Sequence, residues 1–274
     1  WRGRKPARIA WNEGRASFAA NRRTRGGPVD HALPLLRVND AEGRLVALLV
    51  NYACHCTTLV GEFNKLHGDW AGFAQEYLER DHLGAVAMVA IGCGADANPQ
   101  PRGQVDHAQQ HGEEIAREVK RLLAQPGNPL RSSLVCRAKD IALPFQKHFT
   151  REQWEQRAKQ PGIVGYHAKR YLARLARGEA LPSSLPYLVQ AWTFGKDLAM
   201  VFLPGEVVVD YSLRLKKEFN PERLWVNAYS NDDPCYIPSK RILQEGGYEA
   251  EDSLWYYDRP QRLAPEAEDL ILGA

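Results

Sequence analysis

Runs of apolar residues alternate along the chain with segments of helical apolar spacing. Apolar runs bounded by turn residues predict strands at residues 44–53 and 85–91, and a 3.6-residue apolar period predicts a helix at 70–81 between them. A strand, helix, strand unit is typical of a mixed α/β domain. We therefore expect an α/β fold with a mixed, layered sheet and flanking helices.

The same patterns continue towards the C-terminus, where a Gly195-Lys196-Asp197 turn between two apolar runs indicates a hairpin. Residues 151–178 are charged and helical, as expected of a surface excursion. The further predicted elements are helices at 106–124, 207–219 and 265–271, strands at 133–143, 187–194, 198–203 and 225–229, and loops at 125–129 and 180–186. We expect one domain over 1–274, with a candidate seam near 125–130.

The composition is that of an ordinary globular chain, with 274 residues, 44% of them apolar, and a formal net charge of +3. The basic residues are scattered, and Arg22-Arg23-Thr24-Arg25 is interpreted as a solvated loop, so no nucleic-acid partner is expected. No apolar run approaches the roughly 18 residues of a membrane-spanning helix. Five cysteines without regular spacing do not indicate a disulfide framework.

Two apolar strands end in polar loops, which is where sites are commonly built. The run at 48–52 leads to His55, flanked by Cys54 and Cys56, and the run at 85–91 leads to the loop 92–99. In a strand the two cysteines would share the face opposite His55, so packing is favoured over metal binding for them.

Other candidate groups are given structural interpretations. Cys93 and Cys235 are interpreted as buried apolar residues, with substitute nucleophiles as the alternative. His107 and His111 have the i, i+4 spacing of a helical metal pair but no zincin glutamate between them, so a solvated helix face is favoured.

Short motifs in the order of a known family then stand out. Five segments resemble motifs of the neutral ceramidases and their bacterial relatives. They are 51–57, which contains His55, 67–72, Pro204-Gly205-Glu206, 231–236 and Gly247-Tyr248-Glu249. These enzymes are zinc-dependent amidases that cleave the N-acyl bond of ceramide. The resemblance runs from about residue 44 to residue 257.

The resemblance implies roles for six residues. His55, Glu206 and Tyr236 stand where the family has zinc ligands, and Tyr248 stands where it has a catalytic tyrosine that stabilises the transition state. Asp96 matches the aspartate beside the family's nucleophilic serine, with the capping of a turn as an equal alternative. Asn98 stands where that serine is expected, and an amide cannot act as the nucleophile.

The expected chemistry follows from these positions. With Zn²⁺ bound, an activated water would attack the carbonyl, Asp96 or another carboxylate would take its proton, and Tyr248 and Asn98 would hydrogen-bond the developing oxyanion. Hydrolysis of an amide (N-acyl) or related bond in a small or lipid-like substrate is favoured. A metal hydrolase of another class, such as one acting on a glycoside or glycoconjugate, and a non-catalytic binding relative are the alternatives.

Nothing before His55 resembles the family's upstream His-Thr-His-Ser-Gly-Pro segment, which supplies its first zinc histidine. We therefore expect a missing N-terminal segment or a companion chain to complete the site. The family resemblance favours a secreted or periplasmic location, although the chain as given carries no signal peptide.

Overall fold

The computed structural model describes residues 3–274. Its strands are β1 Ala7–Arg15, β2 Ala19–Asn21, β3 Ala32–Asp40, β4 Leu45–Tyr52, β5 Val86–Ile91, β6 Ala97–Pro99, β7 Asn128–Pro129, β8 Leu134–Pro144, β9 Ser184–Phe194, β10 Leu198–Phe202, β11 Glu206–Val207, β12 Leu224–Asn227 and β13 Tyr236–Ile237. Its helices are α1 Asp69–Asp81, α2 Val105–Leu123, α3 Arg151–Arg157, α4 Gly162–Ala176, α5 Val209–Glu218, α6 Lys240–Glu245 and α7 Glu266–Leu272. Short 3₁₀ turns lie at Gly61–Phe63, Pro221–Arg223 and Asp252–Trp255.

Two principal sheets carry the fold. The first has the order β5-β4-β3-β1-β7 and the second the order β12-β10-β9-β8. Each is mixed, because β4 and β5 run parallel in the first, as β10 and β12 do in the second, while the other pairs are antiparallel. Two small ribbons, β2–β6 and β11–β13, lie outside them. The expected mixed α/β fold with flanking helices is confirmed.

The alternation of side chains along each strand arranges the sheets in layers. In β4, Leu48 packs with the helices α1 and α2, whereas Leu49 faces a second cluster shared with β10. In β10, Met200 faces that shared cluster, whereas Val201 packs with the large core under α5, α6 and α7. The sequence of layers is therefore helices, first sheet, second sheet, helices.

A buried hydrogen-bond network crosses between the two sheets. Asn51 of β4 donates to Asn227 Oδ1 of β12 over 2.9 Å, and the Trp225 indole donates to the same oxygen over 2.7 Å. Asn227 in turn donates to the Val201 carbonyl over 3.2 Å. Both asparagines are buried, so these bonds replace the water that the amides lose on folding.

Most predicted elements are found near their expected ends, but some boundaries differ. The predicted loop 180–186 includes the start of β9, where Pro186 is tolerated because only one side of the strand is paired there. The helical excursion 151–178 breaks at Pro161 into α3 and α4. The helix expected at 207 begins at Val209, because Val207 pairs with Ile237 in the β11–β13 ribbon.

The N-terminal strands β1 to β3 were not predicted, although β1 and β3 form a nine-residue antiparallel pair in the first sheet. At the candidate seam, β7 rejoins β1 and so returns the chain to the first sheet. The single domain over 1–274 stays a prediction. None of the helices in residues 3–274 has the length and apolar character needed to cross a membrane.

Removing the shared acceptor of the inter-sheet network is expected to destabilise the fold. In an Asn227→Ala variant, the Asn51 amide and the Trp225 indole lose their acceptor while still buried, so the free energy of unfolding should fall by about 2–4 kcal/mol. Urea denaturation measures the change. Gln110→Ala, on the exposed face of α2, is the control and should stay within about 0.5 kcal/mol. An equal free energy of unfolding in the two variants would contradict a stabilising role of this network.

Candidate functional site

The loops after β4 and β5 meet, because the two strands run parallel and end at the same edge of the first sheet. A Cβ atom at Gly94 would collide with the backbone of Ala53, so glycine permits the close approach of the loops. The His55 amide donates to the Ala97 carbonyl over 3.1 Å, and His55 Nε2 donates to the Ala95 carbonyl over 2.8 Å. These two bonds fix the His55 ring over the second loop.

Glu206 and Tyr236 lie beside each other, because they are register partners in the parallel β11–β13 ribbon. Gly205 has a φ of +80°, a conformation that glycine adopts readily, and it turns the chain into β11. Glu206 Oε2 lies 3.6 Å from His55 Nε2, and the rings of His55 and Tyr236 have centroids 6.4 Å apart. The structure thus brings together all three residues at which the sequence predicts zinc ligands.

Two further tyrosines, which the sequence analysis did not select, complete this group. The Tyr257 hydroxyl donates to Glu206 Oε1, and the Tyr229 hydroxyl donates to Glu206 Oε2 over 3.0 Å while lying 3.2 Å from His55 Nδ1. We call the five residues His55, Glu206, Tyr229, Tyr236 and Tyr257 the His55–Glu206 cluster. Neither added tyrosine lies in a quoted motif, and Tyr229 carries only the signal of being the last residue of the predicted strand 225–229.

The donor chemistry of the cluster fits Zn²⁺. Because the Ala95 carbonyl only accepts, the neutral His55 ring carries its proton on Nε2 and leaves a lone pair on Nδ1. The single Tyr229 proton has two acceptors within reach, Nδ1 and Glu206 Oε2, so one acceptor is left without a proton. A surplus of nitrogen and oxygen lone pairs suits a divalent cation.

The surroundings hold His55 neutral and the phenols protonated. Burial, followed by the nearby Arg22 charge, lowers the pKa of His55. Burial, followed by the neighbouring Glu206 carboxylate, raises the pKa of Tyr236 despite the opposing effect of Arg22. Within residues 3–274, no group of three or more His, Cys, Asp or Glu side chains is arranged to hold a metal ion. The cluster supplies one imidazole, one carboxylate and phenol oxygens.

A cavity of about 600 Å³ opens beside the cluster. The Arg22 guanidinium lies over the rings of Tyr236 and Tyr248, 5.5 and 5.4 Å from their centroids. We call this space the Arg22 cavity; its lining residues are Arg22, Arg23, Asn98, Glu245, Gly246, Gly247, Tyr248 and Glu249. Arg22 therefore belongs both to the cavity wall and to the surroundings of Tyr236.

The interpretation of the arginine cluster 22–25 as a solvated loop is wrong for its first two members. Arg22 Nε donates to Glu249 Oε1 over 2.7 Å, and Arg23 donates to Glu249 Oε2 and to the more exposed Glu245. Only 2% of the Glu249 side chain is exposed. Its burial opposes ionisation, but the hydrogen bonds from both arginines outweigh that effect and lower its pKa.

Asp96 is buried, and both carboxylate oxygens are occupied. Oδ1 accepts from the Val209 amide over 2.8 Å, at the first residue of α5, and Oδ2 accepts from Asn21 over 3.0 Å. An acidic group at a helix N-terminus stabilises the helix, so Asp96 links the loop after β5 to α5. Asp96 therefore occupies the N-terminal end of α5.

Asn98 and Tyr248 both face the Arg22 cavity. Asn98 Oδ1 accepts from the Thr57 hydroxyl over 3.3 Å, and its amide nitrogen forms no hydrogen bond with residues 3–274. The Tyr248 ring packs edge-on against Tyr236 with centroids 5.4 Å apart, and 43% of the residue is exposed. Two hydrogen-bonding side chains are therefore presented to the space beside the cluster.

The cysteines beside the site are buried. Cys93 and Cys235 are at most 1% exposed, and burial raises the pKa of both thiols, to about 12 for Cys235. This agrees with the packing interpretation. Cys54 is also fully buried, but β4 ends at Tyr52, so the strand-face argument for Cys54 and Cys56 does not apply.

The interpretation of the histidine pair as a solvated face is wrong for His111. That residue is 3% exposed, stacks on Phe18 with centroids 4.4 Å apart, and has Nε2 2.7 Å from the Pro101 carbonyl. Its face of α2 is turned towards the first core, which an i, i+4 spacing alone does not reveal.

Comparison with solved structures identifies the fold. A structure of a ceramidase complexed with C2 matches with a TM-score of 0.69 and 16% sequence identity, and the match covers 96% of this chain and 52% of the other. A crystal structure of neutral ceramidase from Pseudomonas aeruginosa matches with a TM-score of 0.68 and 16% sequence identity, and the match covers 96% of this chain and 50% of the other. The chain has the neutral ceramidase fold. It spans about half the length of those structures. No protein-family model and no curated protein sequence matches it.

Glu249, the buried carboxylate of the Arg22 cavity, is expected to stabilise the folded protein. In a Glu249→Gln variant, Arg22 and Arg23 lose their shared ionic partner in a largely buried setting, so the free energy of unfolding should fall by about 3 kcal/mol at pH 7. Glu245→Gln is the matched control, since it also pairs with Arg23 but is 41% exposed, and it should cost less than about 1 kcal/mol.

The pH dependence gives a second check on Glu249. Because the folded-state pKa is lowered from the ordinary value of 4.5, its contribution is present above pH 4.5 and is lost as the pH falls through the folded pKa. Urea denaturation from pH 7 to pH 3 should therefore show the wild type and Glu249→Gln converging in acid. A constant difference over that range would contradict the ionic contribution.

Proposed function

We propose that the protein is a zinc-dependent hydrolase that cleaves an amide, N-acyl, bond in a lipid-like substrate. The observation that carries this proposal is the contact of His55, Glu206 and Tyr236 in one cluster on a neutral ceramidase fold. The three residues come from three separate segments, and the resemblance assigns each a ligand position. Both similar structures named above are ceramidases, which supports N-acyl substrates as the class to test.

His55, Glu206 and Tyr236 would hold Zn²⁺, which when bound would polarise the scissile carbonyl group. The neutral imidazole and the buried carboxylate favour this assignment, and the Tyr229 and Tyr257 hydroxyls orient the carboxylate. No residue of 3–274 is assigned to the further ligand position that the family's upstream histidine fills.

Water is the nucleophile in this proposal, because Asn98 offers no nucleophilic atom at the position of the family's serine. Its proton acceptor is Asp233 rather than Asp96, whose oxygens are both engaged. Asp233 lies at the solvent side of the cluster, where burial and the Glu206 charge raise its pKa to about 6. A carboxylate with a pKa near neutrality is suited to general-base work.

Tyr248 and Asn98 are the groups proposed to meet the negative charge that develops on the carbonyl oxygen. Both face the Arg22 cavity, and neither the Tyr248 hydroxyl nor the Asn98 amide nitrogen forms a hydrogen bond within residues 3–274. The Arg22 guanidinium lies on the same wall, 5.4 Å from the centroid of the Tyr248 ring. The scissile bond would lie between this wall and the cluster.

The metal assignment predicts a specific loss. The purified protein should contain close to one zinc per chain, and His55→Ala should lose it, because the imidazole is the nitrogen donor of the cluster. His82→Ala, at the end of α1 and remote from the cluster, is the matched control and should retain the metal. Elemental analysis measures the content. Equal zinc in wild type and His55→Ala would contradict the assignment.

The assignment of Tyr248 predicts a kinetic effect. Tyr248→Phe should lower kcat for N-acyl amide hydrolysis by about 10²-fold, because one oxyanion donor is removed. Tyr256→Phe, 66% exposed, should keep kcat within about twofold. Turnover that is unchanged in Tyr248→Phe would remove Tyr248 from the mechanism.

The substrate class is tested in the same assays by comparing N-acyl amides with matched esters and glycosides. The Asn98→Ser variant tests whether a serine can replace water as the nucleophile. Selective glycoside cleavage would favour a metal hydrolase of that class. Ligand binding without turnover in any of them would favour a non-catalytic relative.

A further inference from the structure

The segment that carries Tyr257 is held from outside the cluster by the helical pair α3–α4. Tyr257 follows the 3₁₀ turn Asp252–Trp255 and precedes Asp258, whose φ of +51° is an uncommon left-handed conformation for a non-glycine residue. The Arg259 amide closes this turn on the Leu254 carbonyl over 3.1 Å. The turn therefore has a defined shape, and that shape presents the Tyr257 ring to Glu206.

Helix α4 holds the end of this turn by polar contacts. The Tyr171 hydroxyl donates to the Asp258 carbonyl over 2.8 Å, and Arg170 donates to Asp258 Oδ2 over 3.1 Å. Tyr171 is fully buried, so its hydrogen bond is shielded from water, whereas the Arg170 ion pair is partly exposed. The Tyr171 bond is the stronger restraint of the two.

Aromatic packing holds the other end of the turn. The buried Trp255 lies against the His167 ring of α4 with centroids 5.1 Å apart, and the Arg157 guanidinium of α3 lies 4.2 Å from the Trp255 ring centroid. Trp154 and Tyr171 stack with centroids 4.8 Å apart inside a small core of the helical pair itself. The α3–α4 pair is thus a packed unit, and its aromatic side packs against the turn that carries Tyr257.

The geometry points to Tyr257 as a positioning residue for Glu206, fixed in place by the α3–α4 pair through Tyr171 and Trp255. The Tyr257 hydroxyl donates to one oxygen of the Glu206 carboxylate and Tyr229 donates to the other, so the carboxylate is held on both sides. Glu206 sits in a two-residue strand and depends on these hydroxyls for its orientation. A surface helical pair is in this way connected to the proposed metal ligand.

Hydrogen exchange in the metal-free protein tests the inference without any assumption about activity. Tyr257→Phe removes one hydroxyl, and the amides of residues 203–208 should then exchange several-fold faster, because Glu206 loses a tether. Tyr256→Phe, its exposed neighbour, should leave that segment unchanged. Equal exchange at 203–208 in the two variants would overturn the role of Tyr257.

The connection to the helical pair is tested in the same way. Tyr171→Phe should speed exchange over residues 252–259 and also at 203–208, because the turn that carries Tyr257 is released. Tyr166→Phe, on the exposed side of the same helix, is the matched control. Faster exchange at 252–259 with unchanged exchange at 203–208 would overturn the transmission to Glu206.

A zinc titration adds a readout that rests on the proposed function. Tyr257→Phe should bind zinc about tenfold more weakly than wild type and Tyr256→Phe, the size of effect usual for partners that orient a metal ligand. Wild-type affinity in Tyr257→Phe would overturn the positioning role toward the metal. If the wild type binds no zinc, the proposed function fails, and the exchange data alone decide the positioning of Glu206.

Discussion

The largely buried carboxylate of Glu206 is the constraint around which the candidate site is organised. Only 12% of its side chain is exposed, and a carboxylate at that depth is costly unless its oxygens are hydrogen-bonded. Tyr229 and Tyr257 supply those bonds, and His55 lies within 3.6 Å. The segments that carry these partners come from both sheets and from the turn beyond α6, so Glu206 can be satisfied only when the layers are assembled.

A second buried carboxylate, Glu249, makes the same demand on the wall of the Arg22 cavity. Its partners Arg22 and Arg23 lie 227 and 226 positions away along the chain, between the first strands of the fold. Because Arg22 also lies over Tyr236, the N-terminal segment contributes to the electrostatics of the proposed metal site. The cavity and the His55–Glu206 cluster are therefore parts of one charged region. Folding of the N-terminal strands and completion of the site are linked.

The sequence predicted much of the fold, and it predicted the residues of the site that belong to short motifs. His55 follows a clear apolar strand, and Glu206 and Tyr236 lie in motifs resembling a family, so the three were selected together. Tyr257 was not selected, since its partner Glu206 is 51 positions away and no local pattern records the pairing. Arg22 was assigned to solvent because local composition cannot show that a buried glutamate will meet it.

The remaining errors have the same physical origin, because tertiary pairing overrides local preference. Val207 was placed in a helix because of its apolar spacing. In the structure it pairs with Ile237 in the β11–β13 ribbon, and this pairing also sets Glu206 beside Tyr236. His111 is buried because α2 packs against the first sheet, which spacing alone does not specify. Asp96 acquires its partners Asn21 and Val209 only in the folded chain. Its interpretation as a capping residue was one of two alternatives that the sequence left equal.

The central claim is that His55, Glu206 and Tyr236 form a zinc site of nitrogen and oxygen donors. X-ray absorption at the zinc K-edge on the zinc-loaded protein tests it most directly. The account predicts a first shell of nitrogen and oxygen at about 2.0–2.2 Å with the outer-shell scattering of an imidazole. A sulfur shell at about 2.3 Å would instead place the metal on cysteine, with Cys54 and Cys56 beside His55 as its nearest sources, and would contradict the claim.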